Sequence, residues 1–176
     1  MLEQTLSMIV SMAMTVLGPD RPGLVKLLSN AVAENGANWI ESRMARLAGQ
    51  FAGIVRVECP EQSCDSLIAA FNQFAAQGIA IQTIREEIRP PKDDQYTLSI
   101  DVVANDRPGI VRELASAITT AGGNIEDFTT GLESAAMSGQ SLFRARGIVS
   151  LPNSADSAKL VLAIEKLGGD LSVEIV

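Results

Sequence analysis

Histidine is absent from the 176 residues. That excludes Ser-His-Asp and Cys-His catalysis, histidine metal ligation and an imidazole pH switch. Any catalysis would fall to carboxylates, Lys, Ser or Cys. Cysteine is scarce, with only Cys59 and Cys64. Two are too few for a secreted disulfide scaffold, and without histidine too few for a closed zinc site. They read as small half-buried residues at a strand-to-helix turn, in a reducing compartment. Aromatics are 4%, so the core must come from Ala, Val, Ile, Leu and Met. Basic residues number 14 against 21 acidic, a net charge of −7 that argues against broad electrostatic binding to nucleic acid. No long apolar run is present. Leu6–Leu17 is too short to span a membrane and has no basic residue before it. Its Met8, Val10, Met12, Met14 and Val16 alternate with Ser7, Ser11 and Thr15, the period of a half-buried strand. No phosphate-binding loop and no Gly-x-Gly-x-x-Gly after a strand appears. We expect a soluble cytoplasmic protein with no membrane, metal or cofactor and no catalytic constellation.

What the chain does have is a duplication. Asp20-Arg21-Pro22-Gly23-Leu24-Val25 recurs 86 residues later as Asp106-Arg107-Pro108-Gly109-Ile110-Val111. Leu28, Ala31, Gly36 and Asn38 recur as Leu114, Ala117, Gly122 and Asn124. Gly49-Gln50 recurs as Gly139-Gln140, now shifted by 90, which places four extra residues in a hairpin loop over Gly131 to Ser138. Arg89-Pro90-Pro91-Lys92-Asp93-Asp94 reads as a stiff linker. The expected domains are 1–88 and 96–176, joined by 89–95.

Each half reads as strand, helix, hairpin, helix, strand. In the first, Met8–Leu17 is a strand and Pro22–Asn35 a helix with Leu24, Leu27, Leu28, Ala31 and Val32 on its apolar face. Gly36 stops the helix. Asn38–Leu47 and Gln50–Glu58 form a hairpin across Ala48-Gly49. Ser63–Gln77 is a second helix facing inward through Leu67, Ile68, Phe71, Phe74 and Ala75, and Ile79–Ile88 is the last strand. The second half repeats this over Tyr96–Ala104, Pro108–Ala121, Asn124–Leu132, Leu142–Leu151, Ala155–Leu167 and Leu171–Val176. The fold class is α+β: two tandem ferredoxin-like βαββαβ domains, each an antiparallel four-stranded sheet with both helices on one face. A small domain does not leave an apolar sheet face wet, so a partner copy should cover it.

The chemistry that stands out is Asp-Arg-Pro-Gly at a strand-to-helix turn. Proline at the first helical position has its φ preset, and glycine lets a ligand approach the backbone. The free N–H groups of the first turn, with the helix dipole, suit a carboxylate or phosphate. Asp20 would cap those groups or receive an ammonium. Asn38, at the start of the strand expected beside the first, both donates and accepts. Asp106, Arg107, Gly109 and Asn124 repeat the set. The same residues also fit plain helix-start chemistry. Glu86-Glu87 and Asp93-Asp94 read as solvated charge, Arg144 and Arg146 as a wet strand face, and Trp39 and Phe128 as packing between modules.

The turn, the helix ending near glycine and the asparagine opening the next strand resemble the ACT domain, a small βαββαβ module that binds amino acids and regulates metabolism. Asn38-Trp39-Ile40-Glu41-Ser42-Arg43-Met44-Ala45-Arg46-Leu47 with Gly49-Gln50-Phe51 further resembles the tandem-ACT glycine cleavage system transcriptional repressor family. That resemblance implies a cytoplasmic regulator that senses glycine or a similar small amino acid. It also implies action through a partner transcription activator rather than on DNA. A detached regulatory subunit of an amino-acid metabolic enzyme is the alternative. Ligands of ACT domains sit at an interface between modules, so the resemblance points to a homodimer. It points to Asp20, Arg21, Pro22, Gly23, Leu24 and Asn38, and to Asp106, Arg107, Pro108, Gly109, Ile110 and Asn124, as ligand-binding residues.

Overall fold

The computed structural model describes residues 8–86, 95–134 and 141–176. The chain divides into two compact units, Met1–Pro90 and Pro91–Val176. The expected linker lies, apart from Gln95, outside the described residues, as do Glu87 and Gly139-Gln140.

The first unit runs β1 (Ile9–Pro19), α1 (Leu24–Glu34), β2 (Asn38–Leu47), β3 (Gln50–Pro60), α2 (Cys64–Gln73) and β4 (Ala80–Arg85). Short 3-10 turns, Glu61–Ser63 and Phe74–Gln77, flank α2. The second runs β5 (Tyr96–Asn105), α3 (Ile110–Thr120), β6 (Asn124–Ser134), β7 (Ser141–Leu151), α4 (Asp156–Glu165) and β8 (Ser172–Ile175). Both are βαββαβ, each with an antiparallel four-stranded sheet.

The strand order is β2-β3-β1-β4 in one sheet and β6-β7-β5-β8 in the other. This corrects one expectation: β2 is not beside β1. The hairpin turns β3 inward to pair with β1, which leaves β2 at the edge.

Alternation along β1 separates the faces as the sequence implies. Met12, Met14 and Val16 are buried with Val55 and Val57 of β3, under Leu24, Leu28, Ala31 and Val32 of α1 and Leu67 and Phe71 of α2. Each such side chain contributes roughly 1.5–3 kcal/mol when fully buried. Leu27 and Ile68 pack at the margin of this core. Ala75, expected inward, is exposed, because the chain tightens into a 3-10 turn at Phe74 and rotates it outward. The second core repeats the plan with Leu98, Ile100, Val102, Leu114, Ile118, Val149, Leu160 and Ile164. Trp39 and Phe128 each pack against the core of their own unit.

Gly36 has φ +68, and the Ala37 amide bonds back to the Val32 carbonyl at 3.0 Å, closing the end of α1. Ala48 and Gly49 both have positive φ, 49° and 75°, making the two-residue type I′ turn that matches strand twist.

Two boundaries differ from the sequence reading. The helices begin at Leu24 and Ile110, not at the prolines. Gly23 (φ 87°, ψ 2°) and Gly109 (φ 91°, ψ −4°) take the third position of a type II turn, with proline in its second position. The insertion in the second hairpin is also longer than four. The Asp20 amide donates to the Gly49 carbonyl, and the Asp106 amide donates to that of Ser141. The copies are thus offset by 86 before the hairpin and by 92 after it, and β6 continues through Gly131 to Ser134.

Candidate functional site

At the end of β1 the chain turns through Asp20-Arg21-Pro22-Gly23 into α1. The Leu27 amide is the first to close a helical bond, to the Gly23 carbonyl at 2.9 Å. No side chain caps the amides before it, so Asp20 is not the helix cap expected of it. Its carboxylate instead receives Arg46 Nη1 from the end of β2 at 3.3 Å. Arg46 is 73% exposed on its side chain, so the pair is weak. Arg21 reaches across to donate to Gln77 Oε1 at 2.7 Å. A Cβ built on Gly23 would meet nothing within 4 Å, so the corner is open above the helix start.

The second turn has the same backbone and different cover. Arg107 pairs with Glu113 at 2.6 Å and donates to the Leu167 carbonyl at 3.2 Å. The bond from Arg107 holds the Glu113 carboxyl below its ordinary range. A Cβ on Gly109 would lie 3.4 Å from Arg112 Nη2 and 3.9 Å from Glu113 Oε1. Lys26 and Leu27 hold those positions in the first copy. Arg46 has its counterpart in Leu132, and no side-chain partner of Asp106 is seen among the described residues.

The remaining expected residues separate. Pro22, Gly23, Pro108 and Gly109 are exposed at the corners. Leu24 and Ile110 are buried, 3% and 4% exposed, and anchor the helix starts in the cores. Asn38 is not brought to the turn of its own unit. It pairs with Glu58, level with Ser11 near the start of β1, whereas the turn follows Pro19. Eight residues of strand separate the two levels, roughly 26 Å at about 3.3 Å per residue. Asn124 likewise pairs with Ser150, level with Thr97, and its Nδ2 donates to Glu126 Oε1 at 2.8 Å.

On the sheet face opposite the helices, Arg144 and Arg146 converge on Asp101. Arg144 donates at 2.8 and 2.7 Å, and Arg146 at 2.9 Å. These bonds, led by Arg144, hold the Asp101 carboxyl well below its ordinary range. The two guanidinium groups are thus already matched to a carboxylate. Glu86 accepts from Ser11 and Arg56 in the first unit. Among the described residues no three His, Cys, Asp or Glu side chains are grouped to hold a metal. No helix of those residues is long and apolar enough to cross a membrane.

Arg46, Gln77, Glu113 and Leu167 were not singled out from the sequence. Only Glu113 left a signal there, as an acid in the first helical turn; the others depend on long-range register.

Two βαββαβ units, each with a Pro-Gly corner between its first strand and helix, define a tandem ferredoxin-like fold. The chain belongs to the ACT domain family, which matches residues 11–83 and again 92–174. Over nearly its whole length it is also similar to the glycine cleavage system transcriptional repressors of Escherichia coli (strain K12) and Shigella flexneri. Each is 23% identical over 176 residues, 97% of this chain and 90% of the relative. A crystal structure of an unknown protein from Galdieria sulphuraria superposes with a TM-score of 0.81 at 31% identity, covering 96% of this chain and 99% of that one.

Proposed function

We propose that this chain is an amino-acid-sensing regulator rather than an enzyme. It binds a small amino acid, glycine the first candidate, and acts through a partner protein rather than on nucleic acid. The observation that carries the reading is the open Gly23 corner above uncapped amides of α1. A ligand carboxylate suits the first-turn amides of Leu24, Val25 and Lys26. A ligand ammonium suits Asp20, whose bond to exposed Arg46 is easily exchanged. The Gly109 corner is more crowded, since Arg112 and Glu113 flank it, so the first corner is the better binding site of the two. Asn38 lies too far from the corner of its own unit and would serve a ligand held by a second copy of the chain, which fits a homodimer. The similarity to the repressors supports a transcription factor as partner.

Titration calorimetry against the twenty amino acids tests this. Saturable binding of glycine or another small amino acid is expected. Asp20→Asn and Asn38→Ala should each weaken it about tenfold or more, the loss of a hydrogen bond to a charged group. A folded protein that binds no amino acid removes the sensing reading. Capture from lysate then separates a transcription factor from a metabolic enzyme as partner. The protein alone should not shift DNA at ordinary salt, given its net charge of −7.

A further inference from the structure

The two cysteines are unused by the site above, and their placement has a chemistry of its own. Cys59 lies near the end of β3 and Cys64 is the first residue of α2, joined through the Glu61–Ser63 turn. Both are free and both are fully buried. Their sulfurs stand 2.9 Å apart. That is inside ordinary sulfur contact and less than an ångström beyond the about 2.05 Å of a formed bond. The pair is particular to the first unit. The 92-residue offset puts Leu151 where Cys59 stands, and Asp156 opens α4 where Cys64 opens α2.

We propose that Cys59 and Cys64 form a reversible disulfide that staples the end of β3 to the first turn of α2. The oxidant class is a hydroperoxide, small enough to enter as the Glu61–Ser63 turn opens; that turn holds no buried residue. Cys64 sulfur attacks one peroxide oxygen, the O–O bond breaks, and the Cys64 proton departs with the other oxygen, as water from hydrogen peroxide or an alcohol from an organic hydroperoxide, leaving Cys64 a sulfenic acid. Cys59 sulfur then attacks Cys64 sulfur, the S–O bond breaks, and the Cys59 proton departs with the hydroxyl as water. Two electrons pass from the thiols to the peroxide. Cys59 is the poorer first nucleophile because burial, with the Cys64 thiol beside it, pushes its thiol up to about 12. A small thiol reverses the bond by exchange.

The test uses the full chain, treated with hydrogen peroxide, then denatured, alkylated and weighed. The expected product has no alkylatable thiol and is two hydrogens lighter. Its Cys59 and Cys64 peptides are linked within one chain, and dithiothreitol restores both thiols. Two free thiols after treatment, a gain of oxygen in place of the loss of hydrogen, or a link between chains overturns the proposal. Cys59→Ser and Cys64→Ser should each abolish the hydrogen loss; should either fail to fold, the peptide map of the unaltered chain decides alone.

Discussion

Ala48 is the one described non-glycine residue with positive φ, at 49°. The left-handed conformation costs an L-residue about 1–2 kcal/mol, and asparagine tolerates it better. Ala48→Asn should therefore raise stability by about 0.5–1 kcal/mol in urea unfolding with the fold unchanged. Asp101 carries the opposite kind of effect. Its carboxyl is depressed in the folded state, first by the bonds from Arg144. Its contribution is thus fully present above the ordinary carboxylate value and is lost as pH falls below about 4 toward the depressed value. Asp101→Asn should cost about 1–3 kcal/mol at neutral pH, as two guanidinium groups lose their acceptor. The variant should also show a flatter loss of stability between about pH 4 and 2 than the unaltered chain. Urea midpoints across that range measure both.

At the scale of elements, β2 and β3 approach closely where Gly53 faces Met44. A Cβ on Gly53 would lie 2.5 Å from Met44 Cγ and 2.7 Å from the Arg43 carbonyl oxygen, so backbone must move. The equivalent position in the second sheet is Ala145, buried and accommodated opposite Thr130. Gly53→Ala should cost about 1–3 kcal/mol, while Ala145→Gly should cost less. Thermal melts of the two variants compare them. The same scale shows what the sequence made legible. Alternation in β1, the helix stripe of Leu24, Leu28, Ala31 and Val32, and the Ala48-Gly49 turn each follow from local stereochemistry, and each stands where expected. The neighbour of β1 was not legible, because period two tells which face a residue takes and not which strand lies alongside. Grouping Asn38 with Asp20 requires β2 beside β1, and β3 lies between them. Arg46 leaves no local signal, because only the β2–β3 register carries it back to the end of β1. The Gly49-Gln50 repeat does not mark the equivalent position either, since Ser141, not Gly139, holds the carbonyl that fixes the second hairpin.

For the molecule as a whole, the two units differ on the sheet face away from their helices. The first shows Leu17, Ile54 and Ile84, exposed at 51%, 59% and 68%, with Ala13, Ala52 and Ala80 among them, and carries Arg56 and Glu58 toward its other end. The second shows Thr97, Ser99, Asp101, Arg144, Arg146 and Glu174, with Val103 and Ile148 between them. The more apolar sheet face has the stronger drive for cover. Made separately, fragment 1–90 should self-associate at micromolar concentration, while fragment 91–176 should sediment as a monomer. Equal behaviour of the two would contradict the contrast. Each unit has its own core, so each fragment retains the material for folding.

The separation of the Gly23 corner from Asn38 by the length of a sheet has a thermodynamic consequence. If one ligand needs the corner of one chain and the asparagine of another, binding and association are a single linked equilibrium. The apparent affinity then rises with protein concentration, and the ligand in turn draws chains together. Such a sensor reports the abundance of the metabolite and of itself at once. A dilute cell would read the same amino acid level as weaker than a well-stocked one.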